Sequence, residues 1–196
     1  MLSVNEINFE RYFAPVFQPV SFTLEGGGLL LVTGANGCGK TTLIRVLAGI
    51  LHPTSGEFEQ RTDKMAYVGH YLGIKDDLSV LENLRFMRDF LGTSNRNSDE
   101  VIKEVGLTRV SEQLARTLSA GQRKRCALAR LLLSNTSLWL LDEPYSNLDQ
   151  EGVNLVDEML TAHLEAGGAC VLATHGNHRP EWADTQDYRL ISGAAA

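Results

Sequence analysis

Short apolar runs alternate along the chain with segments in which apolar residues recur at helical spacing. The runs at 29–33, 138–141 and 169–173 are almost wholly apolar, which is typical of strands buried on both faces of a parallel sheet. After the first run, apolar residues at helical spacing predict a helix that begins at Thr41 and continues towards Pro53. The alternation of strands and helices predicts an α/β fold with a mainly parallel sheet.

Two other regions have different patterns. Segments 2–9 and 20–24 partly alternate apolar and polar residues, which predicts an antiparallel sheet at the edge of the core. Residues from about 72 to 133 are mostly helical in pattern, with a polar interruption at 93–98, and predict a small helical subdomain. Because 196 residues with 43% hydrophobic residues suffice for one substantial core, we expect 1–196 to form a single domain.

Composition and charge narrow the range of partners. The net charge of -6, from 18 basic and 24 acidic residues, does not resemble the basic stripe of nucleic-acid-binding proteins, so we expect no nucleic acid partner. We also expect a cytoplasmic chain without a membrane span, because no apolar run approaches roughly 20 residues and the first residues lack signal-peptide order. Cys38, Cys126 and Cys170 have neither zinc-site nor disulfide spacing, which fits a reducing compartment.

Residues 34–41, Gly-Ala-Asn-Gly-Cys-Gly-Lys-Thr, match the phosphate-binding loop and lie between a predicted strand and helix. Glycines in such a loop let backbone N–H groups surround the phosphates, and the helix N-terminus adds partial positive charge. Lys40 is expected to reach the β- and γ-phosphates and the Thr41 hydroxyl to bind magnesium. Cys38 is interpreted as a space-filling residue of this loop. The alternative for the whole motif is a glycine-rich turn that only caps a helix. The predicted ATP contacts of this loop are Asn36, Gly37, Cys38, Gly39, Lys40, Thr41 and Thr42.

Asp142 and Glu143 directly follow the apolar run 138–141, at the strand edge where open α/β sheets bind ligands. We expect Asp142 to hold magnesium, directly or through water, and Glu143 to polarise the attacking water as a general base. An acidic pair after a strand is common on protein surfaces, so it indicates function only together with the phosphate loop. The two motifs predict nucleotide binding but do not separate a kinase, a GTPase and a transporter ATPase.

A third motif, Leu-Ser-Ala-Gly-Gln at 118–122, precedes the acidic pair and is followed by a basic and apolar helical run. Ser119 can cap that helix, and its hydroxyl with nearby N–H groups can face a phosphate, although an ordinary capped helix is the alternative. The order and spacing resemble the signature peptide of ABC transporter ATPases, with Ala120 where glycine is usual. The resemblance implies contacts to ATP held by an opposite subunit from Ser119, Ala120, Gly121, Gln122 and Asp149.

Three further segments extend the resemblance. Residues 146–149 resemble the D-loop that crosses the dimer seam of the family. His175, at the end of the last apolar run, resembles the switch histidine, which implies contact with the γ-phosphate and support of Glu143. Tyr12 is predicted to stack on adenine, with Phe13 as the other candidate; the alternative places either aromatic residue in the core.

The resemblance covers nearly the whole chain and points to one branch, the ATPase subunits of the cytochrome c maturation transporter, described as haem exporters or haem-release ATPases. The short chain, the Leu-Ser-Ala-Gly-Gln signature and His70, where most ABC ATPases have glutamine, carry this interpretation. An imidazole cannot reproduce the simultaneous carbonyl and NH₂ contacts of a glutamine amide. His70 is therefore assigned to the region that couples to the membrane partner. A role of His70 as a haem ligand is the alternative.

The branch implies ATP and Mg²⁺ as ligands, hydrolysis of ATP to ADP and phosphate, and a homodimer that encloses two ATP molecules. It also implies integral membrane subunits of the cytochrome c maturation type and a peripheral position at the cytoplasmic face of the bacterial inner membrane. The output would be haem export or haem release. The alternatives are the ATPase of a different ABC exporter, a soluble ABC ATPase without transport, and a scaffold that binds ATP without hydrolysis.

Overall fold

The computed structural model describes residues 1–62, 64–92, 96–175, 178, 180 and 185–193. Its strands are β1 (Leu2–Asn8), β2 (Glu10–Arg11), β3 (Ala14–Pro15), β4 (Val20–Leu24), β5 (Leu29–Thr33), β6 (Ser55–Gln60), β7 (Met65–Val68), β8 (Leu138–Asp142), β9 (Ala169–Ala173) and β10 (Thr185–Arg189). Its α-helices are α1 (Lys40–Leu47), α2 (Val80–Leu91), α3 (Ser98–Glu104), α4 (Ala120–Leu133) and α5 (Gln150–Glu165).

A parallel sheet in the order β10-β5-β9-β8-β7 forms the centre of the molecule. Alternate residues of a central strand enter different cores, with Leu29 and Leu31 on one face and Leu30 and Val32 on the other. Since both faces are covered, each central strand is continuously apolar, as the sequence predicts. The predicted α/β fold with a mainly parallel sheet is confirmed.

The predicted antiparallel sheet is also confirmed, since β1 pairs with β4. A third strand, β6, pairs with the other edge of β1 and was not predicted. Its sequence is mostly polar and exposed, and Phe58 is its only apolar side chain, so the alternation that marks a half-buried strand is weak.

Helix α1 is shorter than predicted. It begins at Lys40 but ends at Leu47, with Ala48 as the C-terminal cap and Gly49 at a φ of 70°. Glycine readily adopts this left-handed conformation, which ends the helix two turns before the expected stop at Pro53. Ile50, which fits the helical spacing in sequence, therefore lies outside the helix and is 55% exposed.

Helices α2, α3 and α4 lie within the predicted helical region 72–133. They do not form a separate core, because Leu84 of α2, Val101 of α3 and Leu128 of α4 belong to the same cluster as Leu160 of α5. The boundaries of a distinct helical subdomain remain a prediction, and residues 93–95 of the expected polar interruption lie outside the described residues. Within the described part of the chain, no helix is both long and apolar enough to cross a bilayer.

Candidate nucleotide site

The phosphate-binding loop connects β5 to α1, as predicted. Gly39 is the N-terminal cap of α1 and has a φ of 103°. A Cβ atom there would lie 2.9 Å from the side chains of Val16 and Phe17. Both the backbone angle and this close approach require glycine, so the position of the loop is set by its packing against the segment that precedes β4.

Lys40 is folded over this loop. Its side chain is only 5% exposed, and its Nζ donates hydrogen bonds to the carbonyl oxygens of Gly34 at 2.8 Å and Ala35 at 3.2 Å. Cys38 is buried in the core that the antiparallel sheet shares with α1, which confirms the interpretation of Cys38 as a space-filling residue. The loop therefore presents a fixed ammonium group at the N-terminus of a helix, an arrangement that favours anions.

Thr41 and Asp142 meet at the edge of the sheet. The hydroxyl of Thr41 donates a hydrogen bond of 3.2 Å to Oδ1 of Asp142, whose side chain is 2% exposed. Two ligands at right angles on Mg²⁺, each about 2.1 Å from the ion, lie about 3 Å apart, so the observed spacing fits this ion. Hydroxyl and carboxylate oxygens are also ligands that Mg²⁺ prefers, and the two predicted metal contacts are thus adjacent.

Glu143 and His175 form a second contact at the same edge. Oε1 of Glu143 is buried and lies 3.2 Å from Nε2 of His175, although no donor among the described residues forms an aligned hydrogen bond with it. Glu143 has a φ of 53°, a rare conformation for a residue other than glycine. Burial raises the pKa of Glu143, while the adjacent His175 lowers it. A carboxylate with a free acceptor oxygen and a raised pKa is suited to general-base chemistry.

Sequence reasoning missed Lys124, which enters the same site from α4. Its side chain is only 3% exposed, and it lines a cavity of about 150 Å³ together with Asp142 and Glu143. Burial lowers the pKa of Lys124, and the two carboxylates oppose that shift. The available signal was a lysine four residues before Leu128, on the buried side of a helix, where a charged residue is unusual.

The signature segment caps α4 as predicted. The Ser119 hydroxyl accepts a hydrogen bond from the Gln122 N–H, and the Gln122 side chain accepts one from the Ser119 N–H. This turn lines an open surface cavity of about 560 Å³, which Asp149 also lines. Asp149 caps α5 and pairs with Arg125, so its carboxylate already has two partners. Contact of these residues with ATP of an opposite subunit stays a prediction.

Tyr12 and Phe13 form the exposed turn between β2 and β3. They are 93% and 97% exposed, and both have positive φ angles. The alternative that either aromatic residue belongs to the core is therefore wrong, because the turn directs both rings away from the protein. Tyr12 is free to stack on a ligand, and its contact with adenine stays a prediction.

His70 is exposed at the rim of the cavity that Asp142 and Glu143 line. Its ring makes an edge contact with Tyr71 at a centroid distance of 5.8 Å. This position connects the acidic pair to the molecular surface, but a role in coupling to a partner stays a prediction.

Comparisons with known proteins identify the family of this chain. The profile of the ABC transporter family matches residues 17–146. The cytochrome c biogenesis ATP-binding export protein CcmA of Xanthomonas campestris pv. campestris (strain 8004) is 50% identical over 186 residues, which cover 90% of this chain and 87% of that protein. The protein of the same name from Paracoccus denitrificans (strain Pd 1222) is 43% identical over 175 residues, 89% of this chain and 82% of its own length.

Two solved structures share the fold. The ATP-binding subunit of an ABC transporter superposes with a TM-score of 0.88 at 22% identity and covers 98% of this chain and 87% of its own. A dimeric ATP-binding cassette in a post-hydrolysis state with ADP and phosphate gives 0.87 at 21% identity, covering 98% and 95%. The chain belongs to the ABC transporter family as an ATP-hydrolysing subunit and, within that family, to the cytochrome c biogenesis ATP-binding export proteins.

Proposed function

We propose that this ATPase drives haem export or haem release in cytochrome c biogenesis. The observation that carries the proposal is the 50% identity over 90% of the chain to a cytochrome c biogenesis ATP-binding export protein. Fold alone would not support so specific an output, because the same fold serves many transporters.

The proposed reaction is attack of water on the γ-phosphorus of ATP, with cleavage of the bond to the β–γ bridging oxygen. Lys40 and the backbone N–H groups of its loop hold the phosphates, and Glu143 accepts the proton of the attacking water. His175 contacts the γ-phosphate and supports the position of Glu143. Thr41 and Asp142 would hold Mg²⁺, which supplies positive charge to the phosphate oxygens. The 3.2 Å contacts of the two residue pairs support this assignment.

The proposed active unit is a homodimer in which each ATP lies between the phosphate loop of one subunit and the signature of the other. The open cavity beside Ser119 and Asp149 supports this arrangement, because it exposes the capped N-terminus of α4 to an anion from outside the chain. Closure around ATP and opening after hydrolysis would supply the motion that is coupled to transport.

The proposed partners are integral membrane subunits of the cytochrome c maturation type. They would hold this chain at the cytoplasmic face of the inner membrane as a peripheral protein. His70 supports a path for the coupling, since it lies at the surface and lines the cavity of the acidic pair. The membrane subunits, rather than this chain, would contact haem.

An affinity pull-down of the tagged chain from solubilised native membranes, with and without ATP, tests this proposal. We expect the membrane proteins of cytochrome c maturation to co-purify, together with a haem chaperone. A Lys40→Ala variant is the matched control for effects of ATP, because it lacks the ammonium group of the phosphate loop.

Two other outcomes of the pull-down would each contradict one part of the proposal. Unrelated permease subunits in the eluate would contradict the haem assignment and leave the transport ATPase intact. Absence of any membrane protein would contradict membrane coupling and favour a soluble ABC ATPase.

A further inference from the structure

A half-buried cluster of Tyr145, Asp157 and His178 joins three parts of the chain. The Tyr145 hydroxyl donates a hydrogen bond of 2.7 Å to Oδ1 of Asp157, which lies in α5. Nε2 of His178 lies 3.2 Å from Oδ1 and 3.0 Å from Oδ2 of the same carboxylate. The rings of Tyr145 and His178 also touch, with centroids 4.3 Å apart. Each of the three side chains therefore contacts the other two.

The chemistry of the cluster is complementary. An ionised carboxylate only accepts hydrogen bonds, so the Tyr145 hydroxyl and His178 Nε2–H must both act as donors. Burial and the bond to Asp157 raise the pKa of Tyr145, so the phenol keeps its proton. The Asp157 and His178 side chains are 22% and 33% exposed, so water competes less for their hydrogen bond than it would on an open surface.

The position of the cluster links it to the reaction. Tyr145 is two residues after Glu143, and His178 is three residues after His175. Neither Glu143 nor His175 belongs to a helix or strand, since they follow the last residues of β8 and β9. Tyr145 and His178, which lie close in sequence to Glu143 and His175, thus both contact one carboxylate of α5, while Glu143 and His175 face each other at 3.2 Å.

We propose that Asp157, Tyr145 and His178 form a clamp that sets the distance between Glu143 and His175. Asp157 and His178 are positioning residues, since they act on the reaction through the two groups at the sheet edge. The inference rests on the proposed roles of Glu143 and His175 in hydrolysis. It does not depend on haem or on the identity of the membrane partners.

Steady-state ATPase kinetics of the purified full chain test the clamp. We expect His178→Ala and Asp157→Asn to lower kcat about tenfold, because small misplacement of reacting groups slows the chemical step. The KM for ATP should stay within about twofold, since the phosphate loop is untouched. His178→Gln keeps an N–H donor and should recover most of the rate. His52→Ala, which changes an exposed histidine outside the site, is the matched control.

A double variant separates the clamp from a general loss of structure. If His178 acts through His175, the His175→Ala/His178→Ala variant should be no slower than His175→Ala alone. If the reductions in kcat of the two single variants multiply in the double variant, or if kcat is unchanged in His178→Ala, the proposal is overturned. Wild-type rates in Glu143→Gln and His175→Ala would instead contradict the proposed roles of these two residues, so the two failures are distinguishable.

Histidine ring NMR provides a readout that needs no turnover, and the chain has only 5 histidines. Glu143→Gln should shift the His175 ring signal in the wild-type background, because the two groups are in contact. In the His178→Ala background that shift should be lost, since the clamp no longer holds the pair together. An equal shift in both backgrounds would overturn the clamp.

Discussion

Thr41 Oγ1 donates a 3.2 Å hydrogen bond to Asp142 Oδ1, although 101 residues separate them in sequence. The contact arises because α1, which follows β5, packs across β8 and β9. The first turn of α1 therefore reaches the end of β8, which lies two positions from β5 in the sheet. It brings together one residue of the phosphate loop and one of the acidic pair, the two elements that the sequence predicts as one site.

This contact predicts the effect of changing either proposed magnesium contact. Thr41→Val and Asp142→Asn should each lower the ATPase rate by about 100-fold or more, since a bound metal supplies several kcal/mol of charge stabilisation. Thr41→Ser keeps the hydroxyl and should stay near the wild-type rate. Magnesium titrations of the ATPase rate check this, and wild-type magnesium dependence in Thr41→Val would remove Thr41 from the metal site.

Glu143→Gln should abolish turnover without loss of ATP binding. An amide cannot accept the proton of water, and general-base catalysis contributes about 10²–10⁴-fold. The side chain keeps its size, so the loop that holds the phosphates is undisturbed. ATP binding by calorimetry and single-turnover hydrolysis measure the two effects separately. Glu158→Gln, on the exposed side of α5, is the control, and rapid hydrolysis by Glu143→Gln would contradict the base assignment.

The same substitution predicts a pH-dependent change in stability without nucleotide. Burial raises the pKa of Glu143 in the folded chain. A carboxyl group with a raised pKa destabilises the folded state where it is ionised, and this cost disappears below the pKa of the unfolded chain. Glu143→Gln should therefore raise Tm by about 1–3 °C at pH 7, and the difference should vanish near pH ~4. A lower Tm than wild type at pH 7 would contradict the burial cost.

The central strands and the phosphate loop were predictable because their signals are local. Leu29–Thr33 and Ala169–Ala173 have the predicted bounds, since strands buried on both faces are uniformly apolar. Strand β10 was missed because it is a polar edge strand, in which Tyr188 is the only apolar side chain packed on the core. The predicted end of α1 is wrong because Ile50 has helical spacing in sequence, whereas Gly49 adopts the left-handed conformation and ends the helix before it.

The site was predicted less completely than the sheet. Asp142 and Glu143 can be recognised in the sequence because they follow an apolar run. The burial of Lys124, in contrast, depends on how α4 packs against the sheet edge. The contacts of Asp157 with Tyr145 and His178 are likewise tertiary, and no local pattern in the sequence marks them. Side chains that a distant element brings to the site lie beyond reasoning from spacing alone.

Gly121 should be sensitive to a single added methyl group. A Cβ atom at this position would lie 2.9 Å from the backbone oxygen of Asn147, so alanine must displace the segment 146–149. We expect Gly121→Ala to lower the ATPase rate about tenfold through loss of this packing. Ala120→Gly, one residue earlier, removes a methyl group and should change the rate less than Gly121→Ala. Equal rates in Gly121→Ala and wild type would contradict close packing of the signature on this segment.

Tyr12 and Phe13 offer a direct comparison of two neighbouring aromatic residues. Both are almost fully exposed in the turn between β2 and β3, so neither substitution removes core packing. If Tyr12 stacks on adenine, Tyr12→Ala should weaken ATP binding about 3- to 10-fold, as loss of one aromatic contact predicts. Phe13→Ala should leave the affinity unchanged, and Tyr12→Phe should retain it because the ring remains. Calorimetric titration with ATP measures all three, and a loss confined to Phe13→Ala would transfer the adenine contact to Phe13.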